Sequence, residues 1–374
     1  MRGERAELPP GWPEGFAAGP ANRRALAVLS ALRGLSPLRL RALAWRVGDA
    51  AACLEEVRGG RAGSAADRAH ALRADPDEAL RAAAAVGARL VAPGDDAYPP
   101  GLLDLADPPA ALFLRGPPCA GRRVAVVGAR GCTPTGAEVA RDLGRGLARA
   151  GICVVSGAAR GIDAQAHQGA LEAGGPTAAV LGCGIDRAYP ARSRGLLARI
   201  AERGTVVSEY APGVPAEPFR FPARNRIIAA LAEAVVVVEG AEGSGSLITA
   251  DHALDLGRQV FAVPGPVTSP LAAVPLALIR EGATMIRGWA DLLEDLGVGG
   301  GAPGGDPGST APGLGAVEAA VLARVVGPLL PEQVARAAGI GLPEALAALT
   351  RLELLGLVRS VGGRVEPVLR RPPP

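Results

Sequence analysis

The sequence predicts an α/β protein in which a Rossmann-like, doubly wound parallel sheet follows a small helical N-terminal domain and precedes a C-terminal winged-helix domain. Short Val-rich apolar segments alternate with segments of helical period through the middle of the chain. Fully apolar strands separated by helices are typical of a parallel sheet that is covered on both faces. The strands are predicted at 124–128, 152–156, 177–182, 205–209, 234–240 and 259–265.

Residues 1–90 precede this pattern and are predicted to form the helical domain. They are rich in Ala, Leu and Arg, and a Gly-Leu-Ser-Pro turn separates short segments of helical period. Sterile-alpha-motif and helix-hairpin-helix modules have this organisation, and some of them bind the DNA backbone through the turn. A plain helical docking bundle is the alternative, because this turn lacks the Gly-x-Gly that lets a backbone approach a phosphate closely.

The C-terminal part is predicted to contain a flexible linker and a separate small domain. Residues 297–315, which follow the predicted Rossmann-like domain of residues 91–296, hold nine glycines and three prolines. Residues 316–374 then give three helical segments and a hairpin with a Gly-Gly turn, the element order of a winged helix. Because the candidate recognition helix carries only Arg351, contact with a protein is favoured over the reading of duplex DNA.

Composition restricts the chemistry that the chain can perform. All 40 basic residues are arginine, which excludes a Walker A lysine, a Schiff-base lysine and a lysine general base, and the net charge is +3. The five cysteines form no Cys-x-x-Cys pair, so neither a disulfide framework nor a zinc site is indicated. The longest uncharged segment, 259–279, is interrupted by four prolines. We therefore expect a cytoplasmic protein with no membrane span, metal or cofactor.

The loops that follow the predicted strands are expected to converge on one edge of the sheet, which we call the rim. Ligands bind at the carboxyl ends of the strands in open α/β sheets. Glycines permit close approach of a ligand to the backbone, and hydroxyls, helix N-termini and arginines together form a cradle for anions. The predicted binding residues in these loops are Arg130, Ser156, Gly157, Arg160, Gly161, Gly243, Ser244, Gly245 and Ser246.

A cluster of aromatic and polar residues precedes the last of these loops and is added to the predicted site. An aromatic ring beside arginines suits single-stranded nucleic acid, because bases stack on the ring and phosphates pair with the charge. Tyr189 and Tyr210 are predicted at neighbouring loop positions, so stacking does not depend on a single ring. A solvated helix N-terminus is the alternative interpretation. The residues of this cluster are Phe221, Arg224, Asn225 and Arg226.

The motifs of dinucleotide binding and of common hydrolases are missing. The segment GARGCTPTG after the first Val-rich strand does not fit G-x-G-x-x-G, so NAD binding is not expected. Asp163 and His167 lie four residues apart on one predicted helix. A local hydrogen bond that braces the start of that helix is preferred over a catalytic pair. No catalytic residue is predicted.

Several long segments occur in an order that matches a known family. They are VAVVGAR, SGAARGIDAQAHQGAL, AVLGCGIDRAYP, SEYAPG, FPARNRIIAALAEAVVVVEG, GSGSLITADHAL, GRQVFAVPG and LIREGA. With these segments the chain resembles the DprA/Smf family, the DNA-processing proteins of bacterial natural transformation. Two positions depart from the family pattern: Ala129 stands where serine is usual, and the segment between Ser269 and Leu278 lacks a Gly-Thr-Asn-type turn.

The resemblance implies a non-enzymatic protein that binds single-stranded DNA, protects incoming DNA, forms a homodimer and helps to load RecA in transformation and recombination. It also implies that the predicted rim residues contact the DNA. The alternative is a nucleotide-binding enzyme or sensor of the phosphoribohydrolase type. Those enzymes carry a Pro-Gly-Gly-x-Gly-Thr loop with a nearby Glu, whereas the loop here reads EGSGSLITA, with no proline and no glutamate following.

Overall fold

The computed structural model describes residues 9, 11–298, 315–322, 324–325, 329–354, 357–361 and 363–367. The chain divides into two compact units, Met1–Val298 and Gly299–Pro374. The predicted linker over 297–315 lies, except for its ends, outside the described residues. None of the helices in the described ranges is long and apolar enough to cross a membrane.

Five short helices open the first unit, and polar side chains fix where several of them begin. Ser36 and Asp49 each accept a hydrogen bond from a backbone N–H inside the helix that follows, and Ser64 and Asp67 form a capping box. The assignment of these helices to a sterile-alpha-motif or helix-hairpin-helix class stays a prediction. They are α1 (Gly19–Leu29), α2 (Pro37–Val47), α3 (Ala50–Arg58), α4 (Ala65–Arg73) and α5 (Pro76–Ala85).

A nine-stranded sheet follows within the same unit. Its strands are β1 (Ala88–Val91), β2 (Leu112–Arg115), β3 (Arg123–Val127), β4 (Cys153–Ser156), β5 (Thr177–Leu181), β6 (Thr205–Ser208), β7 (Ala234–Val237), β8 (Gln259–Ala262) and β9 (Thr284–Met285). The six predicted strands are confirmed as β3 to β8. The sheet also contains β1, β2 and β9, which have four residues or fewer and lack a Val-rich pattern. The predicted boundary at residue 90 falls inside β1.

The strand order confirms the predicted doubly wound sheet. The order is β1-β2-β6-β5-β4-β3-β7-β8-β9, and all neighbouring strands from β6 to β9 are parallel. Only the pairings of β2, with β1 and with β6, are antiparallel. After β3 the chain adds β4, β5 and β6 on one side of β3. It then adds β7, β8 and β9 on the other side. The switch point of the topology therefore lies between β3 and β7, where open α/β sheets bind their ligands.

Helices cover both faces of the sheet because successive strand residues point to opposite sides. The helices of this part are α6 (Pro134–Arg149), α7 (Ile162–Glu172), α8 (Arg194–Arg203), α9 (Arg220–Leu231), α10 (Gly245–Asp255), α11 (Ala273–Arg280) and α12 (Trp289–Asp295). Val124 and Val126 of β3 pack with α6, α7 and α12, whereas Ala125 and Val127 pack with α9, α10 and α11.

Two glycines allow α6 and α7 to pack with their backbones in close approach. A Cβ atom on Gly144 of α6 would overlap the carbonyl oxygen of Ala166 in α7. A Cβ atom on Gly169 of α7 would in turn overlap the carbonyl oxygen of Arg141 in α6. Because the obstacle is backbone in both cases, side-chain rotation cannot relieve it. These glycines therefore set the distance between α6 and α7. The N-terminal end of α7 lies at the rim.

The described residues of the second unit form three helices followed by a two-stranded antiparallel hairpin. The helices are α13 (Ala316–Leu322), α14 (Pro331–Ala338) and α15 (Leu342–Leu354), and the strands are β10 (Val358–Val361) and β11 (Arg364–Pro367). Val321, Val334, Leu349 and Val365 are buried in a common core. This is the predicted element order, and the assignment of the unit as a winged helix stays a prediction.

Substitution Gly144→Ala is expected to lower the free energy of unfolding by about 1–3 kcal/mol, because the added methyl group forces α6 and α7 apart. The measurement is urea-induced unfolding followed by circular dichroism. The matched control is Gly195→Ala in α8, where an added Cβ meets nothing. The control is expected to raise stability by roughly 0.5–1 kcal/mol, since Ala is the better helix former. Equal effects of the two substitutions would contradict this interpretation of the helix contact.

Candidate nucleic-acid interface

Two adjoining cavities lie at the rim, where the loops after β3, β4, β5 and β7 meet. The larger one has a volume of about 460 Å³ and lies at the switch point of the sheet. The smaller one has a volume of about 310 Å³, shares Arg130, Phe221 and Arg224 with the first, and adds Gly157 and Arg160. The predicted site residues that line the larger cavity are Arg130, Phe221, Arg224, Asn225, Gly243, Ser244, Gly245 and Ser246.

The smaller cavity is lined by arginines without a counter-charge. Arg130, Arg160 and Arg192 are exposed at its mouth, and Arg224 lies beneath them. No acidic residue is among the residues that line this cavity. A concave site lined by one sign of charge attracts ions of the opposite sign. Arg192 was not among the predicted residues, although it follows a strand whose loop the sequence already assigns to the rim.

An aromatic pair, Tyr189 and Phe221, lines both cavities. The ring of Tyr189 lies 5.1 Å from that of Phe221 between centroids, with a tilt of 33°. The guanidinium carbon of Arg130 lies 5.2 Å from the centre of the Phe221 ring, a cation–π distance. Tyr189 keeps half of its surface exposed. The pair therefore offers a planar base an aromatic surface with a positive charge beside it.

Arg224 forms the floor of both cavities and is itself almost fully buried. Its Nη1 donates hydrogen bonds to the carbonyl oxygens of Gly157, at 2.8 Å, and of Val180. Gly157 must lack a side chain, because a Cβ atom there would overlap this guanidinium group. Burial lowers the pKa of Arg224, and the nearby carboxylate of Asp163 opposes that shift. Arg224 thus places a fixed positive charge beneath the site.

The loop between β4 and α7 is held in shape by Asp163. Its carboxylate accepts hydrogen bonds from Gly157 N at 3.2 Å and Ala159 N at 3.3 Å. Burial raises the pKa of Asp163, while the charge of Arg224 opposes the rise. Ala158 between them has a φ of +53°, a left-handed conformation that costs energy for a residue with a side chain. The loop is therefore strained and held by its neighbours.

Three predicted residues do not line either cavity. The hydroxyl of Ser156 is fully buried and donates to Val126 O at 2.7 Å. Gly161 has a φ of +76°, and a Cβ atom there would overlap Ala129 O, so its role lies in the packing of two loops. Arg226 donates to carboxylates elsewhere in the first unit.

Arg226 is 5% exposed and engaged in two ion pairs. Its Nε lies 3.0 Å from Asp107 Oδ2, and its Nη2 lies 2.7 Å from Glu209 Oε2. These two carboxylates together raise the pKa of Arg226 against the effect of burial. Consecutive positions on a helix point in different directions, so Arg224, Asn225 and Arg226 cannot all face one cavity. Asn225 instead donates to Gly245 O at 2.9 Å and links α9 to α10.

The hydroxyl-rich loop after β7 forms the start of α10. Ser244 caps the helix by accepting a hydrogen bond from Ser246 N, and the two hydroxyl oxygens lie 2.8 Å apart. Both serines and Gly243 line the larger cavity. The positive end of the α10 dipole therefore faces the cavity, as an anion site requires.

The start of α6, by contrast, is closed by a carboxylate of the protein itself. Glu239 accepts hydrogen bonds from Thr133 N at 2.9 Å and Thr133 Oγ1 at 2.6 Å. Gly136 permits this position, because a Cβ atom there would overlap the Glu239 carboxylate. In the described part of the chain, no group of three or more His, Cys, Asp and Glu side chains is arranged to hold a metal ion.

The prediction of a hydrogen bond between Asp163 and His167 is wrong in its partners. His167 Nδ1 lies 2.6 Å from Thr177 Oγ1 on β5, and Asp163 bonds to its own loop instead. The Asp163 carboxylate turns towards the loop between β4 and α7, because the N–H groups of Gly157 and Ala159 in that loop point to it. Burial and, secondarily, the charge of Arg224 lower the pKa of His167 to about 3. His167 is therefore a neutral core residue.

Comparison with known proteins places the chain among DNA-processing proteins. The sequence profile of the family described as DNA recombination-mediator protein A matches residues 89–297. The putative DNA processing protein DprA of Mycobacterium tuberculosis H37Rv is 38% identical over 366 residues, which cover 91% of this chain and 93% of the relative. The DNA processing protein DprA of Bacillus subtilis is 41% identical over 202 residues, which cover 53% of this chain and 68% of the relative.

Solved structures give the same result. DNA processing protein A of Streptococcus pneumoniae superposes with a TM-score of 0.63 at 32% identity, covering 74% of this chain and 98% of that one. DNA processing protein A of Helicobacter pylori has a TM-score of 0.51 at 28% identity, covering 55% of this chain and 95% of that one. The structure of the Helicobacter protein is described for its single-stranded DNA binding mode.

Substitution Arg226→Ala is expected to lower the free energy of unfolding by about 3–5 kcal/mol, because it removes a buried cation and leaves the nearly buried carboxylate of Glu209 and the partly exposed one of Asp107 unpaired. The matched control Arg130→Ala removes an exposed guanidinium and is expected to change stability by less than about 0.5 kcal/mol. Denaturant titration of both variants measures the difference. Similar losses of unfolding free energy in the two variants would contradict a structural role for the ion pairs of Arg226.

Acidification is expected to destabilise the protein through His167. In the unfolded chain the imidazole takes up a proton near its ordinary pKa of about 6.5, whereas in the fold its pKa is about 3. Between these two pKa values the unfolded state therefore binds more protons than the folded state. The stabilisation that neutral His167 contributes is complete above the higher pKa and declines as the pH falls below it. Unfolding free energies of wild type and His167→Gln across this range test it. The variant should lose less stability than wild type; parallel losses would contradict the assignment.

Proposed function

Because this chain belongs to the DNA recombination-mediator protein A family, whose members are named DprA or Smf, we propose that it binds single-stranded DNA along the rim. The observation that carries this proposal is the pair of Tyr189 and Phe221 beside Arg130, placed over a cavity lined by four arginines. An aromatic platform next to a basic groove suits unstacked bases and their phosphates without selecting a sequence.

In this proposal the two cavities hold different parts of the strand. A base stacks on Phe221 and Tyr189, while the adjacent phosphates contact the exposed guanidinium groups of Arg130, Arg160 and Arg192. Further phosphates contact the start of α10, where the helix dipole and the hydroxyl groups favour an anion. Arg224 contributes its charge from below, without moving, because its own hydrogen bonds go to backbone carbonyls.

We further propose that the rim binds DNA without chemically changing it. Asp163 in the first turn of α7 and Glu239 after β7 both accept hydrogen bonds from backbone N–H groups. A carboxylate committed in this way is poorly placed to activate water. Incubation with nucleoside monophosphates tests the point, since release of a free base would instead favour a phosphoribohydrolase.

The proposal includes a role in recombination: protection of incoming DNA, loading of RecA and action as a homodimer in natural transformation. It is supported by the description of the matching family as a recombination mediator. RecA ATPase activity on DNA coated with single-strand-binding protein should increase when this protein is added. Sedimentation velocity measures the oligomeric state. Unchanged ATPase activity would remove RecA loading from the proposal and leave DNA binding in place.

Wild-type protein is expected to bind a single-stranded oligonucleotide more tightly than the duplex of the same sequence, with affinity that falls steeply as salt rises. Substitution Phe221→Ala should weaken binding by about 1–3 kcal/mol through loss of stacking. Substitution Arg130→Ala should reduce the slope of log K against log salt by about 0.7, the value for one phosphate contact on a single strand. Fluorescence anisotropy titration measures all three quantities.

The matched control is Arg149→Ala. Arg149 ends α6, which runs away from the rim, and its side chain is exposed at the far edge of the sheet. It has the same charge as Arg130 and should leave both affinity and salt slope unchanged. Equal effects of the two arginine substitutions would mean that Arg130 acts only through the net charge of the protein. That result would contradict the binding site at the rim.

A further inference from the structure

A third cleft, of about 540 Å³, lies between the α1–α2 segment and the N-terminal end of α9, and we call it the helix cleft. This volume is in the range of small-ligand sites, roughly 300–1,000 Å³. On one side it is lined by apolar residues, among them Leu29, Leu32 and Leu40. On the other side it is lined by Tyr210, Phe219, Arg220, Ala223 and Arg226.

The polar side of the helix cleft carries an aromatic and guanidinium stack. The guanidinium carbon of Arg220 lies 4.5 Å from the centre of the Tyr210 ring and 5.3 Å from that of Phe219. Arg220 is held there by Glu217, at 3.0 Å, so the stack is fixed. Phe219 keeps 58% of its surface exposed, so one part of its ring is open to a ligand.

The acidic side chains of the helix cleft are paired with an arginine. Asp107 and Glu209, the acidic residues in its lining, both pair with Arg226. The lining as a whole holds three arginines, Arg33, Arg220 and Arg226, against these two carboxylates.

The helix cleft is continuous with the rim. Pro222 and Ile248 line both the helix cleft and the larger rim cavity. Phe221 faces the rim cavities, whereas Phe219, two residues earlier, faces the helix cleft. The helix cleft and the larger rim cavity are therefore neighbours, with Phe219 in one and Phe221 in the other.

We propose that the helix cleft is a second nucleobase site, which holds a base of the same single strand next to the segment on the rim. This inference rests on the proposed function of the rim. The base stacks on the exposed face of Phe219 beside the guanidinium group of Arg220, and its sugar faces the apolar wall that α1 and α2 provide. The helical segment of the first unit then takes part in DNA binding through a cleft wall rather than through a turn.

The test compares two oligothymidylates, one of about 5 nucleotides and one of about 20, which bracket common single-strand site sizes. Two variants alter the helix cleft at exposed positions: Phe219→Ala removes the platform, and Ala223→Trp fills the cleft. Both should bind the long strand about 5- to 150-fold more weakly, the range expected for one lost stack, and the short strand like wild type. The matched control is Ala84→Trp on α5, an exposed helical position that lines none of these cavities.

The outcomes separate this inference from the proposed function. If wild type binds neither strand, the proposed function itself fails. If wild type binds both and the cleft variants match it at both lengths, the rim stands and the second site is wrong. If the cleft variants weaken both lengths equally, the cleft is not a separate site, which also overturns the inference. Photocrosslinking of a strand with 5-iodouracil should label Tyr210 or Phe219 in wild type, and a label confined to Phe221 would contradict the second site.

Discussion

The rim depends on one buried guanidinium group. Arg224 ties α9 to the ends of β4 and β5 through the carbonyl oxygens of Gly157 and Val180. A buried charge must be hydrogen-bonded and compensated, and here backbone carbonyls and Asp163 do so. The same group occupies the space that a side chain at Gly157 would need. Together with Asp163, which binds Gly157 N and Ala159 N, it fixes the loop between β4 and α7 at the rim.

Arginine serves two physical purposes in this protein, because the chain has no lysine. Arg224 and Arg226 are buried and committed to carbonyls or carboxylates, so they act as internal supports. Arg130, Arg160 and Arg192 are exposed and surround a cavity whose lining contains no carboxylate. A planar guanidinium suits both purposes, since it binds oxygen atoms in pairs and stacks on aromatic rings. Sequence letters cannot distinguish the two groups.

The central sheet could be read from the sequence because its signal is local. Val-rich segments buried on both faces leave few alternatives to a parallel sheet, and the predicted strands from Arg123–Val127 to Gln259–Ala262 are present. The strands Ala88–Val91 and Leu112–Arg115 could not be read in this way. They lack the Val-rich pattern of the other strands, and they join the sheet through antiparallel pairing with each other and with β6. Their pairing is a long-range property that no local pattern encodes.

The sequence by itself determined which loops meet at the rim, since the order of strands and helices sends the carboxyl ends of parallel strands to one edge. It also determined that any cationic contact must come from arginine. Only the tertiary structure decided which side chains face the cavities. Ser156, Gly161 and Arg226 are close in sequence to residues of the site, yet they bond or pack internally. The reason is that a side chain's direction depends on the helix turn or strand face it occupies and on the partners that other segments bring to it.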